Sequence, residues 1–222
     1  MDDYSLLKNS FKDKDLLELA LTHRSWVNEH KNQRRSNERL EFLGDAVLEF
    51  IVSEIIYKSF QDKEEGYLTT LRAKLVNTVS LSEISEKLEL GKYIYLSKGE
   101  EETGGRSNQS LLADTLEAVI GAIYLDRGTS ECKAFIEKYI LADLDQISKE
   151  PLKDPKSLLQ EAVQASGSST PKYIVIDEKG PDHDKSFTIQ VMVDNKVLGT
   201  GSGKSKSDAA QNAAKDALSK SL

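Results

Sequence analysis

The chain has 222 residues, 38% of them hydrophobic and 30% charged, with a formal net charge of −7. That composition describes a soluble protein of one large or two small domains, and no apolar run approaches the roughly 18 residues a membrane helix needs. A single cysteine, Cys132, excludes an internal disulfide and agrees with a reducing cytoplasm.

The start, Met1-Asp2-Asp3-Tyr4, lacks the basic-then-apolar pattern of a secretion signal. Residues 5 to about 147 read as nearly all helix. From Glu38 to Phe60, Leu40, Leu43, Val47, Leu48, Ile51, Ile55 and Ile56 recur at helical spacing and leave a wide apolar face. Helical stretches follow at Tyr67–Asn77 and Ser80–Leu90, the second closed by Gly91, and a Gly-rich loop is expected from Gly99 to Gly105. Ser107–Arg127 is a further apolar helix stopped by Gly128, after which Thr129 is expected to cap a last helix through Leu141. Cys132 lies in this amphipathic stretch beside Ala134, Phe135 and Ile136, as a packed thiol would.

The polar segment 148–155 carries two prolines and no periodicity, so it reads as a linker between a domain of residues 1–147 and one of residues 156–222. Beyond it, Lys156–Ser166 is helical, Tyr173–Asp177, Phe187–Val193 and Val197–Gly201 read as strands, and the Ala-rich Ser207–Leu218 closes the chain as a helix. The fold class is therefore multidomain: an all-helical domain followed by a small α-β-β-β-α domain. Charge divides the same way. Residues 1–150 hold 28 acidic against 20 basic side chains, a balance of −8, whereas residues 151–222 hold 9 against 10, a balance of +1. The two parts do different work.

The excess acidity gathers on helices. In Asn37-Glu38-Arg39-Leu40-Glu41-Phe42-Leu43-Gly44-Asp45, at about 100° per residue, Glu38, Glu41 and Asp45 fall within an arc of roughly 60°. Asp114 and Glu117, three residues apart, also share a face. Carboxylates converging between two apolar helices repel one another unless a divalent cation sits among them, and hard oxygen donors suit Mg²⁺, with Mn²⁺ able to substitute. The three histidines, His23, His30 and His183, offer no zinc spacing, and no Ser/His/Asp or Cys/His set suggests nucleophilic catalysis.

The nine residues Asn37–Asp45 resemble the signature of the ribonuclease III family. Leu21-Thr22-His23-Arg24-Ser25 upstream, Leu112-Ala113-Asp114-Thr115-Leu116-Glu117-Ala118 downstream and the C-terminal α-β-β-β-α segment agree with that family in order and spacing. The resemblance covers nearly the whole chain and is close to the short bacterial form, an endonuclease domain followed by a double-stranded-RNA-binding domain. It implies a cytoplasmic, Mg²⁺-dependent endoribonuclease that hydrolyses duplex RNA to 5′-phosphate and 3′-hydroxyl ends and processes ribosomal and other structured RNA precursors. It also implies that Glu41, Asp45, Asp114 and Glu117 are metal ligands, with Glu38 and Glu65 assisting cleavage near the scissile strand; Glu64 is the alternative to Glu65. Arg39 and Arg72 read as phosphate contacts, as charges neutralising the acidic site or as internal salt bridges; Thr22, His23 and Arg24 read as packing or hydrogen-bonding residues near the helix junction, with a catalytic histidine beside a threonine as the alternative. The resemblance further implies a homodimer that cuts both strands, with Phe42 inserting into the partner; an ordinary core phenylalanine is the alternative.

For the second domain, the resemblance implies that Ser157, Gln160 and Glu161 reach one minor groove. His183, in the loop Gly180-Pro181-Asp182-His183, would enter the next, and Lys204, Ser205 and Lys206 would grip phosphates at the last helix. The family usually has two adjacent basic residues at that helix start, whereas here Lys206 is followed by Ser207 and Asp208. Duplex affinity is therefore expected to be weaker and more salt-sensitive. Two other readings compete: a non-catalytic RNA-binding protein, which should have lost one of the four carboxylates, and a phosphohydrolase of small nucleotides, which would not need a duplex-binding domain.

Overall fold

The computed structural model describes residues 3–181 and 184–221, and these form two compact units, Met1–Glu150 and Pro151–Leu222. In the first unit the helices are α1 (Asp3–Ser10), α2 (Lys14–Ala20), α3 (Arg24–Glu29), α4 (Glu38–Ser59), α5 (Glu65–Leu75), α6 (Thr78–Lys87), α7 (Lys98–Glu102), α8 (Gln109–Arg127), α9 (Thr129–Tyr139) and α10 (Leu144–Ile147). Among the described residues no helix is long and apolar enough to cross a membrane.

α8 is the central element. Leu112, Leu116, Val119 and Ile120 are almost fully buried, and so are Ala113, Thr115, Ala118 and Ala122 on other sides of the helix. A helix apolar nearly all round belongs inside a bundle. α4 packs across it through Leu48, Ile51, Val52 and Ile56. The two backbones touch where each helix carries a glycine. A Cβ at Gly44 would fall 1.8 Å from the Glu117 carbonyl oxygen, and one at Gly121 would fall 2.3 Å from that of Leu40. An isolated glycine inside a helical pattern weakens the helix unless close packing requires it, and here it does.

Several local expectations change. The segment expected as a Gly-rich loop contains α7, because Ser97 Oγ accepts the Glu100 N–H (3.2 Å) and Glu100 and Glu101 suit the positive helix start. The loop resumes at Gly104, whose φ of 87° is a left-handed value that favours glycine. Thr129 does not cap α9: Gly128 takes that place, with its carbonyl accepting the Cys132 N–H (3.3 Å), and Thr129 is the first helical residue. Cys132 is buried, and its thiol is pushed up to about 12 by that burial.

In the second unit, α11 (Pro155–Ala165) precedes β1 (Lys172–Lys179), β2 (Ser186–Val193), β3 (Lys196–Gly203) and α12 (Lys206–Ser221). α11 begins at Pro155, one residue earlier than periodicity suggests. Asp154 Oδ1 accepts the N–H groups of Lys156 (3.0 Å) and Ser157 (3.2 Å), and proline is well suited to the first helical position. The strands form an antiparallel sheet in the order β1-β2-β3. Gly199, Gly201 and Gly203 alternate along β3 and face α12, where Ala209, Ala213 and Ala217 make a stripe of small residues. A Cβ at Gly201 would lie 2.1 Å from the Ala213 nitrogen, so these glycines serve close helix-to-sheet packing.

Candidate active site

The Gly44–Gly121 contact sets the site. With α4 and α8 touching there, Glu41 on one helix and Asp114 and Glu117 on the other each offer a carboxylate oxygen within 4.8 Å of the others. Glu41 and Glu117 are half-buried and Asp114 is exposed, so the group opens to solvent at one edge. Asp45 is exposed one turn further along α4 and falls outside that group of three, yet its charge acts on both Glu41 and Glu117.

Burial and mutual repulsion both act on these carboxyls. Burial first, then the charges of Asp45, Asp114, Glu41 and Glu49, push the Glu117 carboxyl up to about 7. Glu41 is raised by burial and then by Asp114, Glu38 and Asp45. Asp114 is raised by burial, while His23 pulls it partly back. Carboxylates held this close without a cation keep protons they would otherwise release. The donor set is all carboxylate oxygen from two rigid helices, a set that fits a hard divalent cation.

The flanking residues anchor the helix starts. Glu38 is exposed and held by Arg24 (3.2 Å) and by the Ser36 hydroxyl (2.7 Å). Buried Thr22 forms a bridge with Tyr95, and its carbonyl accepts the Asn37 N–H (2.9 Å) at the start of α4. His23 shares a hydrogen bond with Ser25 Oγ (2.8 Å), and burial lowers its pKa. Thr22 and His23 thus make hydrogen bonds at a helix junction. Arg72 makes an internal pair with Glu49 (3.0 Å) and bonds Ser53 (2.7 Å), whereas Arg39 is exposed. Glu65 opens α5, where it accepts the Thr69 hydroxyl (2.8 Å), and it is not brought into the three-carboxylate group; Glu64 is also exposed just before it. Phe42 is 81% exposed, which removes the core-residue alternative.

Residues 13–144 match the ribonuclease-III-like family, and residues 155–221 match the double-stranded RNA binding motif. The chain is 50% identical to ribonuclease 3 of Natranaerobius thermophilus over 210 residues, spanning 95% of this chain and 91% of the relative. It is 45% identical to ribonuclease 3 of Pelotomaculum thermopropionicum over 226 residues, spanning 99% and 94%. The chain belongs to the ribonuclease III family. It is an endonuclease that acts on double-stranded RNA, with a nuclease unit followed by a duplex-binding unit. Among solved structures, the nuclease domain of ribonuclease III from Campylobacter jejuni superposes with a TM-score of 0.59 at 43% identity, covering 64% of this chain and 96% of that domain. That structure is described in terms of flexibility in a region involved in dimer formation.

In the duplex-binding unit of this ribonuclease III, Gln160 and Glu161 are exposed on α11, with Glu161 paired to Lys153 (2.5 Å). The Ser157 hydroxyl donates to Asp154 Oδ2 (2.7 Å), and Ser205 Oγ caps α12 by accepting the Asp208 N–H (3.0 Å). Lys204 is exposed, 3.9 Å from Asp184, and the Lys206 ammonium lies 5.5 Å over the Phe187 ring. His183 lies outside the described residues. Sequence reasoning missed Gly121. A lone glycine in an apolar helix was the available signal for it; Asn37 and Arg24 stood in the quoted motifs, but their contacts with Ala20 and Glu38 show only in the fold.

Proposed function

We propose that this ribonuclease III is a Mg²⁺-dependent enzyme in which Glu41, Asp45, Asp114 and Glu117 hold the cation and Glu38 assists cleavage. The convergence of Glu41, Asp114 and Glu117 within 4.8 Å, all three carboxyls raised, carries the reading. When bound, a divalent cation supplies Lewis-acid activation of the attacking water and positive charge for the phosphate oxygens. The chain's part is to hold the carboxylates rigidly on α4 and α8 and to keep Glu38 oriented through Arg24 and Ser36. Glu117 must give up its proton as the cation enters, so cation binding is linked to pH near neutrality.

The working form is a homodimer, each copy cutting one strand. Phe42, Phe50 and Tyr57 are 81%, 64% and 71% exposed on α4. Their helical angles lie within about 80° of one another, so they form one apolar face of the kind that marks an association surface. Glu65 stands apart from the carboxylates of its own chain, and a dimer supplies a second copy of it for cleavage. In the duplex-binding unit, Ser157, Gln160, Glu161 and His183 contact the minor grooves, and Lys204, Ser205 and Lys206 contact phosphates beside the start of α12. The natural substrates are ribosomal and other structured RNA precursors, met in the cytoplasm.

Incubating the protein with a long RNA duplex in Mg²⁺ and in EDTA tests the reading. Fragments with 5′-phosphate ends in Mg²⁺ alone are expected. Equal cleavage in EDTA would refute the metal dependence.

A further inference from the structure

We propose that Arg106, on the segment leading into α8, is a positioning residue for the carboxylate site: it sets Asp114 relative to Glu41 by tying together the two backbone routes that anchor α8 and α4. The Arg106 Nη1 group donates to the carbonyls of Gly91 (2.8 Å), Lys92 (3.3 Å) and Ile94 (3.1 Å), and Nε donates to Glu101 Oε1 (2.7 Å). A planar guanidinium fixes its donors in one plane, so Nη1, with two hydrogens shared among three carbonyls of one turn, and Nε on Glu101 together hold it in one placement. The backbones are equally close, since a Cβ at Gly91 would lie 2.3 Å from the Arg106 carbonyl oxygen.

One route from this knot runs to α4. Tyr95, next after Ile94, donates its N–H to the Leu21 carbonyl (2.8 Å), and its own carbonyl accepts the His23 N–H (3.1 Å). Thr22, between them, accepts the Asn37 N–H (2.9 Å), and Asn37 Nδ2 donates to the Ala20 carbonyl (3.1 Å). Asn37 immediately precedes Glu38, so this ladder seats the helix end that carries Glu41. The other route is shorter. Two residues beyond Arg106, Asn108 caps α8 by accepting the Leu111 N–H (3.1 Å), and Asp114 lies in the second turn. Helices transmit a displacement of their ends as rigid bodies, and a carboxylate moved by about 1 Å is a poorer ligand.

This inference rests on the metal reading above, and its test separates the two. Full-length Arg106→Met, Arg106→Lys and Glu101→Gln variants are titrated with Mn²⁺ without RNA, following thermal unfolding, and the Mn²⁺ dependence of cleavage is measured alongside. The midpoint for Mn²⁺ should rise about 10-fold in Arg106→Met, as for groups that orient metal ligands. Arg106→Lys, which keeps charge but not the fork, should fall between Arg106→Met and wild type. Glu101→Gln should shift least, because the three carbonyl contacts remain. Duplex binding in EDTA should be unchanged. A lower melting temperature with an unchanged Mn²⁺ midpoint would overturn the proposal and leave Arg106 an ordinary structural residue. If Arg106→Met does not fold, the midpoint of Arg106→Lys decides in the same way. A wild-type protein that Mn²⁺ does not stabilise would overturn the metal reading and the proposal with it.

Discussion

Glu117→Gln separates the catalytic need for a carboxylate from its cost to the fold. In the metal-free protein, burial and four neighbouring carboxylates push Glu117 up to about 7, against an ordinary value of 4.5. The folded state then holds a proton that the unfolded state has released, so stability falls as pH rises from about 4.5 to 7 and stays low above that. The displacement corresponds to about 3 kcal/mol at most. Solvent screening at a half-buried position reduces this to about 1–2 kcal/mol. Glutamine keeps the shape without the charge, so Glu117→Gln should raise the melting temperature in EDTA at pH 8 by about 3–6 °C. Most of the gain should vanish at pH 5, where wild-type Glu117 is itself protonated in the fold. With Mn²⁺ present the order should reverse, because an amide is a poorer ligand than a carboxylate. Duplex binding should persist while cleavage is lost. Calorimetry of both proteins at the two pH values, with and without Mn²⁺, makes the comparison. A gain of equal size at pH 5 and pH 8 would refute the electrostatic account.

Gly44→Ala should destabilise the nuclease unit by about 3 kcal/mol or more and abolish cleavage, since the new Cβ would sit 1.8 Å from the Glu117 carbonyl oxygen; urea unfolding and a cleavage assay would measure both, and a near-neutral result would contradict the helix contact. Phe42→Ala should shift the protein towards monomer in light scattering while changing the fold by no more than about 0.5 kcal/mol, because an 81% exposed ring packs little within its own chain. Unchanged dimer content would count against that face. Lys204→Ala with Lys206→Ala should lower the slope of log affinity against log salt by up to about 2 and leave low-salt cleavage intact; an unaltered slope would remove both lysines from the phosphate contacts.

Much of this protein is written locally in its chain. Helix periodicity, Gly128 as a stop and the alternation in β2 depend on neighbours a few residues away, so the two-part architecture was legible. The spacing of Glu38, Glu41 and Asp45, and of Asp114 and Glu117, placed each carboxylate set on one helical face for the same reason. Local signals also misled where a short-range competitor was overlooked: Ser97 turned part of the Gly-rich segment into α7, and Gly128 displaced Thr129 as a cap.

Contacts between distant segments were out of reach. Which three carboxylates approach within 4.8 Å follows from the backbone contact at Gly44 and Gly121, and no spacing within either helix encodes a crossing between them. For Phe42 the sequence left both insertion into a partner and core packing open, and only the packing of α4, which leaves it 81% exposed, removes the second. Arg106 reads as one more surface cation until the turn at Gly91–Ile94 folds around its guanidinium. Residue types and their periods are local properties of the chain, while burial and convergence exist only once the elements have packed.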